Sequence, residues 1–124
     1  VSAPAWVQRR VAEVCQRYGV AEPEVTWRRS KINSFSSGRA YNSEPRFVVT
    51  AGSDARDRRL VLHHELAHYV AKQLYGPDEA HSARFWAIAF DLYSEAKLLR
   101  YAARREVEYA GAQAEVRRRF ARNK

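Results

Sequence analysis

Between Leu62 and Leu74 two sets of residues recur every four positions, and a helix accommodates both. Leu62, Leu66, Val70 and Leu74 make an apolar row, while His64 and His68 make a second row two residues out of phase. Residues i and i+4 lie one above the other on a helix, so the first row can face a core while the second faces elsewhere. Both ends carry matching signals. Gly52-Ser53-Asp54 offers caps before the pattern, and Gly76-Pro77 stops it after Tyr75.

Within that helix His64-Glu65-Leu66-Ala67-His68 reads H-E-x-x-H. Two imidazoles one turn apart can reach one metal ion, and Glu65, beside the first, can reach a water on it. With four His and ten Glu in 124 residues, the chance expectation of this pattern is roughly 0.01. A buried pair of core histidines, the alternative, would need hydrogen-bond partners of its own. A zinc site on three protein ligands needs one more. His81 follows His68 by 13 residues, past Gly76-Pro77 and just before another helical pattern. Asp91 and Glu95, one turn apart, would instead make a His-His-Glu set, and Asp78 and Glu79 sit in the turn itself. His81 is favoured, because neutral imidazole suits zinc and three histidines leave a coordination position open. His63 points about 100° round the helix from His64 and is expected to back up a ligand or to pack, not to ligate.

The flanking segments define the fold class. Glu24–Arg29 and Arg46–Ala51 read as strands, the latter strongest at Phe47-Val48-Val49-Thr50, and Ser37–Tyr41 is a third around Gly38. Asn42-Ser43-Glu44-Pro45 reads as a turn. A short helix precedes them, with Ser2 as a cap, Pro4 in the first turn and Gly19 after its end. Its apolar face is Trp6, Val7, Val11, Val14, Cys15 and Tyr18, which makes Cys15 a small buried hydrophobe rather than a reactive thiol. After the histidine helix, Ala83 to Tyr109 reads as one long helix with Phe85, Ala89, Leu92, Ala96, Leu99, Ala103 and Val107 on one face. Gly111 is expected to interrupt it before Ala112, Val116 and Phe120 continue the apolar line. The expectation is a single α+β domain over 1–124: an N-terminal helix, a small three-stranded sheet, the histidine helix and long C-terminal helices.

Charge is uneven along the chain. Of the net +8, residues after Ala96 supply nine Lys/Arg against three Asp/Glu, whereas those up to it carry 13 against 11. This basic tail, from about 97 to 124, has Arg117, Arg118, Arg119, Arg122 and Lys124 around its apolar line. Such a helix attracts phosphate through counterion release, so non-specific nucleic-acid binding is one expectation and a solvated terminal helix the other. In the favoured three-histidine set no ligand lies beyond His81, so the chain after Gly111 is expected to be dispensable for the metal. The longest apolar run, Phe85 to Phe90, is six residues. A bilayer-spanning helix needs about 20. Cys15 is the single cysteine, which excludes an intrachain disulfide and a cysteine-based zinc site. With no signal-peptide stretch at the start, a cytoplasmic location is expected.

The stretch His63-His64-Glu65-Leu66-Ala67-His68-Tyr69, followed by His81-Ser82-Ala83-Arg84-Phe85-Trp86, resembles the SprT-like zinc metallopeptidases. That family joins H-E-[LM]-x-H to a third histidine opening an H-G-x-x-F-type motif on the next helix. Here Ser82 replaces the glycine, and Phe85-Trp86 keeps the aromatic pair. Phe47 to Gly52, then Leu60-Val61-Leu62, is similar to the strand and helix that lead into small zincin sites. The resemblance covers about residues 37–92. It implies a zincin-like fold with one Zn2+ per chain on His64, His68 and His81. It further implies a metalloendopeptidase in which Glu65 is the general base for a zinc-activated water. The substrate would be a protein or peptide laid along a sheet edge, for which Ser37–Tyr41 is the candidate. Tyr69, Arg84, Arg100 and Tyr101 are candidate oxyanion donors. Members of the Spartan type act on proteins bound to DNA, which implies nucleic-acid-associated targets and a use for the basic tail. Larger members add a cysteine-rich ribbon that these 124 residues do not contain. The competing expectation is a non-catalytic, zinc-containing module that binds DNA or protein. Dependence of activity on Glu65 separates the two.

Overall fold

The structure, a computed structural model, describes residues 3–29, 37–40, 45–76 and 81–120. Ser2, Tyr41, the turn at 42–44, Asp78, Glu79, Arg122 and Lys124 lie outside the described residues. The elements run α1 (Ala5–Tyr18), β1 (Glu24–Arg29), β2 (Ser37–Ala40), β3 (Arg46–Ala51), α2 (Ala55–Tyr75), α3 (Ala83–Glu95), α4 (Leu99–Arg105) and α5 (Tyr109–Phe120). The fold is α+β, with five helices and a three-stranded mixed sheet among these residues.

β3 is the central strand. β1 pairs with it in parallel and β2 antiparallel, so both β1 and β2 stand at edges. Alternation along β3 buries Phe47, Val49 and Ala51 and leaves Arg46, Val48 and Thr50 half-covered, as a sheet with one packed face requires. The register sets Trp27 and Gly38 on either side of Val49. α2 packs on β3 and β2. Its residues Leu62, Leu66 and Val70 are fully buried, whereas Leu74, at the end of the same row, is exposed. α1 adds Val7, Val11, Val14 and Cys15 to this core, and α3 adds Phe85, Ile88, Ala89 and Leu92.

Local chemistry sets the helix ends. Asp54 caps α2, its carboxylate accepting from the Arg56 and Asp57 N–H groups at 2.9 and 3.1 Å. Pro4 precedes α1, and Gly19 ends it in the left-handed region at φ 69°. Trp6 departs from the apolar face expected for it: it is 36% exposed and sets its ring edge-on to Trp27, with centroids 5.8 Å apart.

The single helix expected from Ala83 to Tyr109 is three helices. Lys97 adopts φ 60°, its N–H donates to the Ser94 carbonyl, and the Leu98 N–H donates to the Tyr93 carbonyl. These two bonds close α3 in the pattern usually built on glycine. Leu98 then enters the core at 2% exposure, a burial that offsets placing a lysine in the left-handed region. The second break falls at Glu106, which leaves α4 in an extended conformation. Gly111, expected to interrupt, lies inside α5. α5 packs on α3, with Tyr109 against Phe90 at 5.1 Å between centroids. No helix among the described residues is long and apolar enough to cross a membrane.

Candidate metal centre

His64 and His68 project from the same side of α2, and His81 stands just ahead of α3. Ser82 caps that helix by accepting from the Phe85 N–H at 3.2 Å. His81 has φ 49°, a left-handed backbone uncommon outside glycine and enriched at functional sites. With that backbone its ring lies 5.2 Å from His64 and 4.9 Å from His68 between centroids. One ring nitrogen of each of the three lies within 4.8 Å of the others, so His64, His68 and His81 form a group that could hold a metal ion. Glu95 is elsewhere: its carboxylate accepts from Arg10 at 2.8 Å and from Arg17. Asp91 is exposed on α3 and is not part of the histidine group.

The hydrogen bonds around the rings test whether a metal fits. Nε2 of His64 and Nε2 of His81 face each other at 3.3 Å. Behind them, Nδ1 of His64 lies 3.0 Å from the Tyr93 hydroxyl and 3.1 Å from Glu106 Oε1. Nδ1 of His81 lies 2.7 Å from Glu108 Oε2. A carboxylate only accepts, so each Nδ1 carries a proton and each neutral ring presents a lone pair at Nε2. Two facing lone pairs repel unless a cation, or one extra proton, sits between them. Two nitrogens bound tetrahedrally to zinc at about 2.05 Å stand about 3.3 Å apart. The donor set and its spacing therefore fit a divalent metal.

The rings differ in environment. Burial pulls the His64 pKa down, but the Glu106 hydrogen bond and charge outweigh it, and the net direction is up. Burial, reinforced by the charges of His64 and His81, lowers His68 to about 3. Its Nδ1 is buried with no hydrogen-bond partner among the described residues. Phe85 stacks on the His68 ring at 4.1 Å and 16°, and on His81 at 5.1 Å and 28°, so the aromatic side chain holds both imidazoles in orientation.

Glu65 is 7% exposed and its carboxyl pKa is raised, by burial first, against the lowering charges of His64 and Lys72. With Gly38, His64, His81, Trp86 and Glu106 it lines a cleft of about 450 Å³. Gly38 is on β2, so one wall of the cleft is the sheet edge. Lys72 ties that edge to α2 by donating to the Ala40 carbonyl at 3.4 Å.

Other residues named from the sequence lie apart from the histidine group. His63 is buried; its Nδ1 donates to the Arg59 carbonyl at 2.6 Å and its Nε2 accepts from Arg10 Nε at 3.0 Å, with its pKa lowered to about 4 chiefly by burial. It joins α1 to α2. Tyr69 donates to the Ala21 carbonyl, Arg84 lies over the Tyr75 ring at 4.5 Å, and Tyr101 donates to Asp57 at 3.2 Å. Arg100 is exposed on α4. None of these four lines the cleft beside Glu65. Arg117, Arg118 and Arg119 are exposed on α5, and Arg118 pairs with Glu115.

Sequence reasoning missed the close approach of Gly38 to Glu65, and Tyr93, Glu106 and Glu108 as partners of the histidines. One signal for the acids was present: two carboxylates two residues apart within an otherwise basic segment. Comparisons with family models, with curated proteins and with solved structures give no match.

Proposed function

We propose that this chain is a zinc-dependent metalloendopeptidase with a zincin-like site, in which His64, His68 and His81 hold the ion and Glu65 is the general base. The observation that carries the reading is the junction of three elements: a histidine triad that fits zinc, a carboxylate next to its first member, and a sheet edge in the same cleft. When bound, zinc lowers the pKa of a coordinated water to about 7 and polarises a carbonyl. Glu65 accepts the water proton and passes it to the leaving amine. β2 is paired on one side only among the described strands, so an extended peptide can add to its other side and lie across the cleft. The exposed arginines 117 to 119 support targets carried on nucleic acid, reached through non-specific phosphate contact.

Glu65→Gln tests the reading, since it keeps the shape and removes the base. Zinc should remain at one ion per chain, and cleavage of casein or of the chain itself should fall at least ~100-fold. Equal cleavage by wild type and E65Q removes the enzyme reading. Zinc binding with no cleavage by either protein favours a non-catalytic zinc module.

A further inference from the structure

We infer that Glu106 and Glu108, at the joint between α4 and α5, are positioning residues for the metal group: each accepts a hydrogen bond from the Nδ1–H of one ligating histidine and so aims that ring's Nε2 at the ion. The inference rests on the metal-centre reading above.

Three observations carry it. The two carboxylates sit two residues apart in one short connector yet reach two different histidines, one on α2 and one ahead of α3. The Glu106 contact is held from behind by the core: the hydroxyl of the buried Tyr93 donates to the same Oε1 at 2.6 Å, and Tyr93 itself is fully buried. Side chains of the His64–Glu106 pair are only 19% and 13% exposed, so solvent screens the contact little. The joint is also where the expected long helix breaks without Gly or Pro. Had the helix continued through 108, the two glutamates would point about 200° apart and could not both face the histidines.

A histidine hydrogen-bonded through one nitrogen to a carboxylate is fixed in tautomer and ring orientation, and its other nitrogen becomes a better donor to a metal. The Glu108–His81 contact has the same form but is more exposed, at 59% and 41%, so it is weaker. The ligands thus come from α2 and the turn ahead of α3, and their orienting carboxylates come from the joint between α4 and α5.

The test has two readouts that do not depend on turnover. In metal-free protein at pH 9, nitrogen–proton correlation spectra of the histidines give the tautomers. Wild type should show Nδ1–H at His64 and at His81. E106A should turn His64 alone into a tautomer mixture, and E108A should do so to His81 alone. In a zinc titration against a chromophoric chelator, E106A should lose roughly 10- to 100-fold in affinity and E108A less. E106Q introduces an amide oxygen that can still accept from Nδ1, so it should keep the His64 tautomer and recover part of the loss. E108A and E106Q also carry the test if E106A fails to fold. Nε2–H tautomers in the wild type, or wild-type zinc affinity in both alanine variants, overturn the inference. A wild-type protein that takes up no zinc overturns the metal-centre reading instead, while the tautomers still decide for or against the carboxylates.

Discussion

Gly38 lies directly against Glu65: a β-carbon at position 38 would stand 2.4 Å from Glu65 Cγ and 2.9 Å from both Cδ and Oε2. The edge strand and the carboxylate touch with no side chain between them. The strand that could receive a peptide therefore runs past the residue that would act on it, and glycine permits this closeness because it has no Cβ.

Gly38→Ala should separate catalysis from metal binding. The nearest atom is Cγ in mid-chain, which cannot swing aside as a tip can, so Glu65 must change rotamer or β2 must move away. A loss of about 1–3 kcal/mol in stability is expected for such overpacking, with a sharp drop in Glu65-dependent cleavage. Zinc should remain at one per chain, since no ligand lies on β2. Thermal melts, metal analysis and a cleavage assay on the same preparation check this. Undiminished cleavage would mean that the contact does not set the position of Glu65.

Removing His81 should empty the metal site, and removing Glu95 should not. Glu95 is occupied by Arg10 and Arg17, an ion-pair cluster that joins α1 to α3. H81A leaves two ligands where zinc requires three or four. E95A should cost up to about 1 kcal/mol, as partly exposed ion pairs do, and D91A less. Metal content of the three purified variants decides it: a full site in H81A and an empty one in E95A would make the centre a His-His-Glu type.

The parts of this fold that were legible were those with a strong period or strong punctuation. The three strands lie over the segments read as strands, the second as far as Ala40, and α2 begins and ends at the Asp54 and Gly76 signals. The histidine pair on α2 was legible for the same reason, since i and i+4 on a helix is a geometric statement. What was illegible depended on tertiary contacts. Lys97 ends α3 because Leu98 gains a place in the core, and no local rule flags a lysine as a helix stop. A helix running on to Tyr109 would point Glu106 and Glu108 in different directions, whereas the joint between α4 and α5 sets both against the histidines. Gly38 was legible as part of a strand and of a candidate substrate edge, but its reason for being glycine lies 27 positions away in Glu65.

Cys15 should be inert in the native protein. It has no exposed surface, and burial, with a smaller effect from Glu22, pushes its thiol up to about 11 from an ordinary 9.0. The native state thus resists forming the thiolate that the unfolded chain forms readily. Because the folded pKa is the higher one, the folded state holds more protons between pH 9 and 11, and stability falls as pH rises through that window. The size is on the order of 3 kcal/mol. A thiol reagent at pH 8 should label the protein only in denaturant. The alkaline loss of stability should be steeper in wild type than in C15A, which is less stable throughout because of its cavity. Rapid labelling of native protein would show that Cys15 is open to solvent.

The charge of α5 and its packing are separable by substitution. Cutting after Gly111 would remove Ala112 and Val116, which belong to the packed side of the helix, along with the arginines. It would also loosen α5 next to the joint that bears Glu106 and Glu108. Such a truncation should therefore lower stability and zinc affinity together, contrary to the expectation that the tail is dispensable for the metal. The triple variant R117Q/R118Q/R119Q avoids this, because all three side chains are exposed and exposed substitutions rarely exceed about 0.5 kcal/mol. Its zinc content and melting temperature should match wild type. If the arginines meet phosphates, its affinity for duplex DNA at low salt should fall, and each lost contact should flatten the slope of log affinity against log salt by about 0.9. Titrations at three or more salt concentrations, on two duplexes of unrelated sequence, measure this and should give the same slope for both. An unchanged affinity and slope in the triple variant would make α5 a solvated helix whose role is to support the joint behind the histidines.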